Sequence, residues 1–113
     1  MERELLRIKT AVDADRVTLS LYGELDLSSA PGLIERLAGV VRAQPPNLDL
    51  DLIRLDYTDP TGLSVFVTAH FQCLDAGVQL RFLNPNLFMR ELLAVTGLED
   101  VLSITTTDAF VGA

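Results

Sequence analysis

Apolar and polar residues alternate along the first part of the chain in the pattern of paired strands. Val17, Leu19 and Leu21 are separated by hydroxyl-bearing residues, which is the two-residue period of a strand with one buried face. A preceding strand is predicted over 5–11, and the aspartate-containing segment 13–15 is predicted to be a turn. The two strands should therefore form an antiparallel hairpin.

After Gly23 the apolar period lengthens to that of helices, which then alternate with short strands. Small polar residues, prolines and glycines mark the helix ends, because they cap the first turn or stop the last one. The predicted helices are one capped by Ser28 or Ser29 and stopped by Pro45-Pro46, one capped by Asp59 and ended by Gly77, and one capped by Asn84 and closed by Gly97. The later strands are predicted over 48–52, 78–82 and 101–104, and Thr107 or Asp108 is predicted to cap a last helical turn.

Strands that alternate with helices of this length favour parallel pairing through right-handed crossovers. The sequence therefore predicts a single α/β domain over 1–113, with a mixed, mostly parallel sheet of roughly four to five strands, an antiparallel amino-terminal hairpin and about four helices. The core-facing side of the second helix is predicted to consist of Leu63, Phe66, Val67, His70 and Leu74.

Charge and composition exclude several classes of function. The formal net charge is −7 and no cluster of lysine and arginine is visible in the sequence, so nucleic acid is not expected as a partner. No apolar run approaches the roughly 20 residues that cross a bilayer, and the charged start does not resemble a secretory leader. We therefore expect no membrane span and a cytosolic location. The single cysteine, Cys73, is predicted to pack within a helix, in agreement with a reducing compartment.

The sequence contains none of the residue patterns that bind metals or nucleotide phosphates. His70 is the only histidine and has no ligand partner at matched spacing, so an ordinary structural histidine is favoured over a metal ligand. Glycine-rich phosphate-binding loops are also absent from the sequence. These observations predict a protein that is not an enzyme and that holds no cofactor or metal of its own.

The pentapeptide Asp59-Pro60-Thr61-Gly62-Leu63 places a phosphorylatable hydroxyl at a helix opening. Asp59 can cap the helix and Pro60 suits its first position, so Thr61 falls in the first turn. We expect its hydroxyl to lie among free backbone N–H groups, where a phosphate can be accommodated. Taken alone, the pentapeptide favours ordinary capping without a further role, so the rest of the chain must decide.

Other polar residues are predicted to share the edge of the sheet on which Thr61 lies. Loops that leave the carboxyl ends of parallel strands gather at one edge, where such folds place their sites. The loops in question are 23–26, 56–61 and 84–86. We therefore expect Asp26, Asp59 and Thr61 to lie on one surface. For Asp26, support of the following helix and contact with a partner both remain open.

These motifs together resemble the STAS domain family, named for sulfate transporters and anti-sigma factor antagonists. The resemblance covers nearly the whole chain and rests on three segments in order. They are Gly23-Glu24-Leu25-Asp26, Leu50-Asp51-Leu52 followed by Asp59-Pro60-Thr61-Gly62-Leu63, and Thr96-Gly97-Leu98. The family's commonest form of the central motif has two serines where this chain has Pro60 and Thr61.

The resemblance implies an anti-sigma factor antagonist that is switched off by phosphorylation at Thr61. Its implied partners are an anti-sigma factor serine/threonine kinase and a metal-dependent phosphatase that removes the phosphate. The ATP and magnesium of that reaction belong to the kinase. The residues expected to contact the partner are Glu24, Asp26, Asp59, Thr61, Gly62 and Asn84.

Two alternatives follow from the same resemblance and architecture. Family members of this kind also serve as scaffolds in stress-signalling complexes or as accessory subunits of lipid-transport ATPases. An enzyme that accepts phosphate on Asp59, as receiver domains do, is less favoured. The acidic metal-binding pair expected at the end of the first strand of such a domain is missing from this sequence.

Overall fold

The computed structural model describes residues 5–107, which form one five-stranded sheet with helices packed on it. The strands are β1 (Leu6–Val12), β2 (Arg16–Leu25), β3 (Asn47–Thr58), β4 (Gln79–Leu83) and β5 (Ile104–Thr105). The helices are α1 (Ala30–Ala43), α2 (Pro60–Ala76) and α3 (Leu87–Val95), followed by a 3₁₀ turn at Leu98–Asp100.

The sheet topology confirms the predicted α/β class. The spatial order of the strands is β1-β2-β3-β4-β5, with an antiparallel β1–β2 pair and parallel pairing elsewhere. Because each parallel connection advances the sheet in the same direction, right-handed crossovers place all three helices on one face. Leucines of β2 and β3 and the Phe66–Phe82 pair, with ring centroids 5.1 Å apart, form the core between that face and the helices.

β2 and β3 are longer than predicted. β2 continues to Leu25 and β3 to Thr58, so the segments predicted as loops at 23–26 and 56–61 are strand over much of their length. Register shifts between Ser20 and Tyr22 and between Gly23 and Glu24 disturb the pairing of β2 with β3. Such bulges break the two-residue period from which the strand ends were predicted.

β3 extends past the end of its neighbour β4. The pairing of the two strands ends at Asp51 and Leu83, whereas β3 runs on to Thr58 with only β2 beside it. Beyond the end of β4, the start of α3 lies beside β3. The Asn86 side-chain amide donates there to the Leu55 carbonyl oxygen at 3.2 Å. We call residues 52–58 the β3 extension. It carries the chain directly into α2.

The predicted start of α3 is wrong, as is the predicted range of the final strand. Asn86, not Asn84, is the N-cap of α3, and Asn84 has a left-handed backbone with φ of 58°. β5 is only Ile104–Thr105, because the N–H groups of Val101 and Leu102 donate to the Leu98 carbonyl oxygen of the preceding 3₁₀ turn instead of entering the sheet. The final helical turn predicted after Thr107 lies outside the described residues.

The buried face of α2 is rotated from the predicted one. Leu63 and Phe66 are buried as expected, but Leu74 is 61% exposed and Cys73 is buried in its place. The helix packs on both the sheet and α1, so its buried arc also includes Val65 and Ala69. Cys73 is thus a packing residue, as predicted, and burial raises the pKa of its thiol.

The face of the sheet opposite the helices carries a buried ion cluster. Asp49 of β3 is 2% exposed and accepts from the guanidinium groups of Arg16 (2.9 Å) and Arg81 (2.9 and 2.7 Å). These donors satisfy a carboxylate that would be costly to bury alone.

Neither a membrane-spanning helix nor a metal-binding group is found in the part of the chain that the structure describes. Over 5–107 no helix has the length and apolar character needed to cross a bilayer. Within the same residues, no three His, Cys, Asp or Glu side chains come together in a way that could hold a metal ion.

Candidate functional site

The opening of α2 is built as the pentapeptide predicts. Asp59 is the N-cap in an extended conformation, and its carboxylate accepts from the Gly62 N–H at 3.0 Å. Pro60 occupies the first helical position, where its missing N–H costs nothing. The Asp59 carbonyl oxygen accepts from the Leu63 N–H at 3.2 Å. Asp59 therefore satisfies two donors of the first turn by itself.

Thr61 lies in the second position of α2, half-buried, with no hydrogen bond from its hydroxyl to any residue in 5–107. The prediction that this hydroxyl lies among several free backbone N–H groups is wrong. Pro60 has no N–H, and those of Gly62 and Leu63 are taken by Asp59. Only the N–H of Thr61 itself remains without an acceptor among the described residues of the first turn.

Gly62 is required by close packing beneath Thr61. A Cβ at this position would lie 2.0 Å from Thr58 Oγ1 and 2.8 Å from Leu25 Cγ, closer than such atoms approach. The Asp59 N–H also donates to the Leu25 carbonyl oxygen at 3.2 Å. The start of α2 is thus fixed against the ends of β2 and β3.

Asp26 organises the opening of α1 through its carboxylate. One oxygen, Oδ1, accepts from the backbone N–H of Ser28 (3.0 Å) and Ser29 (3.1 Å) and from the Ser28 hydroxyl (2.7 Å). The Ser28 hydroxyl is the main cause that lowers the pKa of Asp26 below its ordinary value. These bonds support the structural interpretation of Asp26 that the sequence left open.

Ser29 has a different role from the predicted one. It occupies the N-cap position of α1, but its hydroxyl makes no capping bond to the helix. The hydroxyl instead accepts from the Asp26 N–H at 2.9 Å and donates to the Glu24 carbonyl oxygen at 3.0 Å. Pro31 lies in the first turn as expected. Ser29 thereby fastens the turn between β2 and α1 to the end of β2.

The structure brings most of the predicted site residues to one edge of the sheet. Asp26 follows Leu25, which contacts both Asp59 and Gly62 through the interactions above. Glu24 is exposed and pairs with Tyr57 across β2 and β3. We call Glu24, Asp26, Asp59, Thr61 and Gly62 the switch edge.

Asn84 is hydrogen-bonded to the end of the described chain. Its side-chain oxygen accepts from the Thr107 N–H at 2.9 Å, and its backbone N–H donates to the Thr105 carbonyl oxygen at 2.9 Å. No hydrogen bond among the described residues joins it to Asp59 or Thr61. The backbone at this position has a positive φ, and asparagine suits it because asparagine adopts the left-handed region more readily than most residues.

The sequence interpretation missed the capping role of Asn86 and one aromatic pair of this region. Asn86 caps α3, accepting from the Met89 N–H at 2.8 Å, and also binds the β3 extension. Tyr57 and Phe88 stack with ring centroids 5.8 Å apart, although each is more than 40% exposed. The Asn84-Pro85-Asn86 segment offered two possible caps, which was the available signal. The aromatic pair gave none, because its residues lie far apart in sequence.

A cleft of about 200 Å³ lies between α1 and α2 and begins at Thr61. Its remaining lining is mainly apolar or hydroxyl-bearing and comes from both helices: Ile34, Leu37, Ser64, Val65, Thr68, Ala69 and Gln72. Ile34 is 50% exposed. Thr61 is therefore bordered by a concave surface that a partner's apolar side chain could fill.

Comparison with known proteins gives one family and consistent relatives. The family described as "Mlab, STAS domain" matches residues 8–105. The anti-sigma-B factor antagonist of Bacillus subtilis (strain 168) is 33% identical over 89 residues, covering 79% of this chain and 81% of that protein.

Two solved structures resemble this fold over most of its length. A crystal structure of an anti-sigma factor antagonist from Mycobacterium paratuberculosis superposes with a TM-score of 0.82 at 22% identity, covering 90% of this chain and 86% of that one. The Bacillus cell fate determinant SpoIIAA in the phosphorylated form gives a TM-score of 0.69 at 18% identity, covering 95% and 96%. At these identities the likeness shows the fold alone.

Proposed function

Because this chain belongs to the STAS domain family, we propose that it is an anti-sigma factor antagonist whose switch edge binds an anti-sigma factor kinase and whose Thr61 is phosphorylated to end that binding. The names of the relatives support the antagonist role. The observation that carries the switch is the Thr61 hydroxyl, which is half-buried at a helix opening and has no hydrogen-bond partner among residues 5–107.

A hydroxyl without a hydrogen-bond partner among the described residues is well suited to accept a phosphoryl group. The kinase would bring ATP and Mg²⁺ of its own. The Thr61 oxygen would attack the γ-phosphorus as the bond to ADP breaks, and the hydroxyl proton would pass to a catalytic base of the kinase. The oxygen gives up no hydrogen bond to a described residue in becoming a phosphoester. The reverse step is hydrolysis by a metal-dependent phosphatase, which restores the hydroxyl and releases phosphate.

The effect of the phosphate is expected to fall on the complex and not on the fold. It adds roughly −1.5 to −2 charges at neutral pH, two residues from the Asp59 carboxylate. An anion at a helix opening typically gains about 0.3 to 1 kcal/mol, and only one free N–H is available here, so any gain should lie at the low end. A partner that fits a hydroxyl would instead meet an additional charge that must be desolvated.

The surroundings of Thr61 support a docking surface of mixed chemistry. The cleft between α1 and α2 begins at this residue and is largely apolar. Asp59 and Asp26 supply negative charge nearby, although their carboxylates are already engaged by backbone N–H groups. The proposed partner surface therefore combines an apolar group for the cleft with basic side chains at the switch edge.

The test compares Thr61→Glu, Thr61→Ala and a charge-matched control as baits in affinity capture from the native cell. Gln79→Glu is the control, because it adds one negative charge to an exposed residue at the start of β4, away from the switch edge. We expect the wild type, Thr61→Ala and Gln79→Glu to retain a serine/threonine kinase. Thr61→Glu should lose at least about tenfold in affinity for it, which corresponds to about 1.4 kcal/mol.

Incubation of the captured kinase with ATP and Mg²⁺ supplies the second readout. Mass spectrometry should find phosphate on Thr61 of the wild type and none on Thr61→Ala. Retention of the kinase by Thr61→Glu at wild-type affinity would refute the switch. Recovery of transporter subunits in place of a kinase would favour the accessory-subunit alternative.

A further inference from the structure

A cluster of cations surrounds Tyr22 on the face of the sheet opposite the helices. Arg7 and Lys9 of β1 lie over the Tyr22 ring, with their charged groups 5.5 and 5.4 Å from its centroid. Arg54 of β3 pairs with Tyr22 from the other side. We call Arg7, Lys9, Tyr22 and Arg54 the Tyr22 patch.

The strand alternation places this patch away from the helices. In β1, Thr10 accepts from Arg36 of α1 and Ile8 packs against the core, so these residues face the helical side. Successive residues of a strand point to opposite faces, which puts Arg7 and Lys9 on the other side. All three cations of the patch are exposed.

The patch is basic although the protein is strongly acidic. Among residues 5–107, the paired strand residues on the face to which it belongs include five lysines and arginines but only three aspartates and glutamates. The basic residues are Arg7, Lys9, Arg16, Arg54 and Arg81, and the acidic ones are Glu24, Asp49 and Asp51.

The ion pairs described on this face do not involve the cations of the patch. Among residues 5–107, both salt bridges are made by Asp49, which binds Arg16 and Arg81. No described carboxylate lies within 4.0 Å of the charged groups of Arg7, Lys9 or Arg54. The aromatic ring holds two of these cations in place without neutralising them, since a cation over a ring keeps its full charge.

The distribution of charge favours one kind of partner for the Tyr22 patch over the others. A second copy presenting the same face would bring cation against cation. A nucleic acid or an anionic membrane would extend beyond three cations and meet the rest of a protein whose net charge is −7. A short acidic peptide segment avoids both conflicts, because its charge need not extend beyond the patch.

The geometry also defines the form of that segment. Arg7 and Lys9 are two residues apart in a strand, so their Cα atoms are about 6.6 to 6.8 Å apart, and both charged groups lie beside the same ring. An extended peptide with carboxylates on alternate residues has the same period. Such a peptide could pair both cations at once and leave a further carboxylate for Arg54.

We propose that the Tyr22 patch binds an extended acidic segment of a protein partner, in which carboxylates on alternate residues pair with Arg7 and Lys9. This site is separate from Thr61, and its occupancy does not depend on the phosphorylation state of that residue. Lysine on an edge strand also discourages association between copies, and the same charge then favours an acidic partner over a second copy.

The experiment uses the full chain and a short fluorescent peptide in which glutamate alternates with threonine, followed by fluorescence polarisation at low and high salt. The variants are Lys9→Glu and Arg54→Glu in the patch, with Arg42→Glu as control. Arg42 is exposed in the last turn of α1, and its substitution makes the same change in net charge. The three variants change exposed residues, and their thermal unfolding verifies that each is folded.

We expect the wild type and Arg42→Glu to bind the peptide alike, and each patch variant to lose about tenfold or more in affinity. High salt should weaken the wild-type complex, because exposed charge pairs are screened. The same peptide with glutamine in place of glutamate should not bind. Thr61→Glu should bind the acidic peptide as the wild type does, so failure here and failure of the Thr61 switch are distinguishable.

Several results would overturn the proposal. One is equal loss of binding in Arg42→Glu, which would reduce the effect to net charge. Another is tighter patch-dependent binding of a single-stranded oligonucleotide or of phosphatidylserine vesicles than of the peptide. A third is patch-dependent self-association of the wild type in sedimentation at low salt, which would assign the surface to a second copy.

Discussion

The openings of α1 and α2 lie at the same edge of the sheet but treat their polar groups differently. At α1, the Asp26 carboxylate and the hydroxyls of Ser28 and Ser29 bind one another and the backbone. At α2, Asp59 satisfies two backbone donors, and the Thr61 hydroxyl beside it binds no described residue. Both helices begin with a proline in the first turn, so the difference lies in the side chains.

The difference separates residues that maintain the fold from one that is available for chemistry. Every side-chain oxygen named at the α1 opening has an internal hydrogen-bond partner, so a change there should affect stability. The Thr61 hydroxyl contributes little to the stability of the fold, whereas Asp59 and Gly62 beside it stabilise the first turn of α2. Four substitutions examine this contrast, from the largest expected effect to the smallest.

Gly62→Ala should destabilise the protein most. The added Cβ would meet Thr58 Oγ1 and Leu25, which belong to the buried junction of β2, β3 and α2, and overpacking of this kind costs about 1 to 3 kcal/mol. Urea unfolding measures the loss. The matched control is Gly32→Ala in α1, where no atom lies within 4 Å of the new Cβ, and it should stabilise by up to about 1 kcal/mol. Equal effects would show that the junction is not tightly packed.

Asp59→Ala should cost about 0.5 to 2 kcal/mol, the usual effect of removing an N-cap side chain. The substitution leaves the Gly62 N–H without its acceptor. Asp59→Asn keeps an acceptor oxygen and should remain close to the wild type in the same urea measurement. If the alanine and asparagine variants were equally unstable, the negative charge and not the capping bond would be responsible.

Asp26→Asn should have a smaller effect that depends on pH, because asparagine retains one acceptor oxygen. The Ser28 and Ser29 bonds lower the pKa of the Asp26 carboxyl from its ordinary value of 3.8. A lowered pKa means that the ionised form is favoured in the folded state. Its stabilisation is complete above the ordinary value and is lost as the pH falls through the lowered pKa.

Urea unfolding at several pH values tests this dependence. The stability difference between the wild type and Asp26→Asn should be constant near neutral pH and shrink in acid. Thr61→Val is the control, since it changes no titratable group and should show no such trend. A difference that stayed constant down to the most acidic pH would remove Asp26 from the proposed electrostatic support of α1.

Thr61→Val should change stability least, within roughly 0.5 kcal/mol, as expected for a half-buried residue outside the hydrogen-bond network. The hydroxyl has no described partner to lose, and valine conserves the side-chain shape. Thermal unfolding monitored by circular dichroism gives the comparison. A loss as large as that of Asp59→Ala would mean that the hydroxyl is structural, and the contrast between the two openings would fail.

The sequence predicted the elements of the fold better than their ends. The apolar periods placed the strands and helices in the right order, and Asp59, Pro60 and Gly77 fixed the ends of α2 correctly. β2 and β3 were predicted too short, because bulges interrupt the alternation on which the prediction relied. A bulge depends on the facing strand, and single-sequence periodicity contains no information about that strand.

Side-chain partners were the least predictable part of the site. Asn84 and Asn86 both fit a helix cap by residue type, and only the left-handed backbone at Asn84 decides between them. The face of α2 was misplaced for a related reason, since α1 covers Val65 and Ala69 while Leu74 is left in solvent. Contacts between distant segments determined both outcomes.

The β3 extension has a consequence for association between molecules. A strand that extends past the end of its neighbour exposes unpaired backbone N–H and C=O groups, and another chain can pair with them. Here the Asn86 amide covers the Leu55 carbonyl, and the first turn of α3 lies along that border. Asn86 thus shields the exposed edge of the β3 extension, so the tendency to form oligomers through unpaired β-structure depends on how firmly α3 stays packed against it.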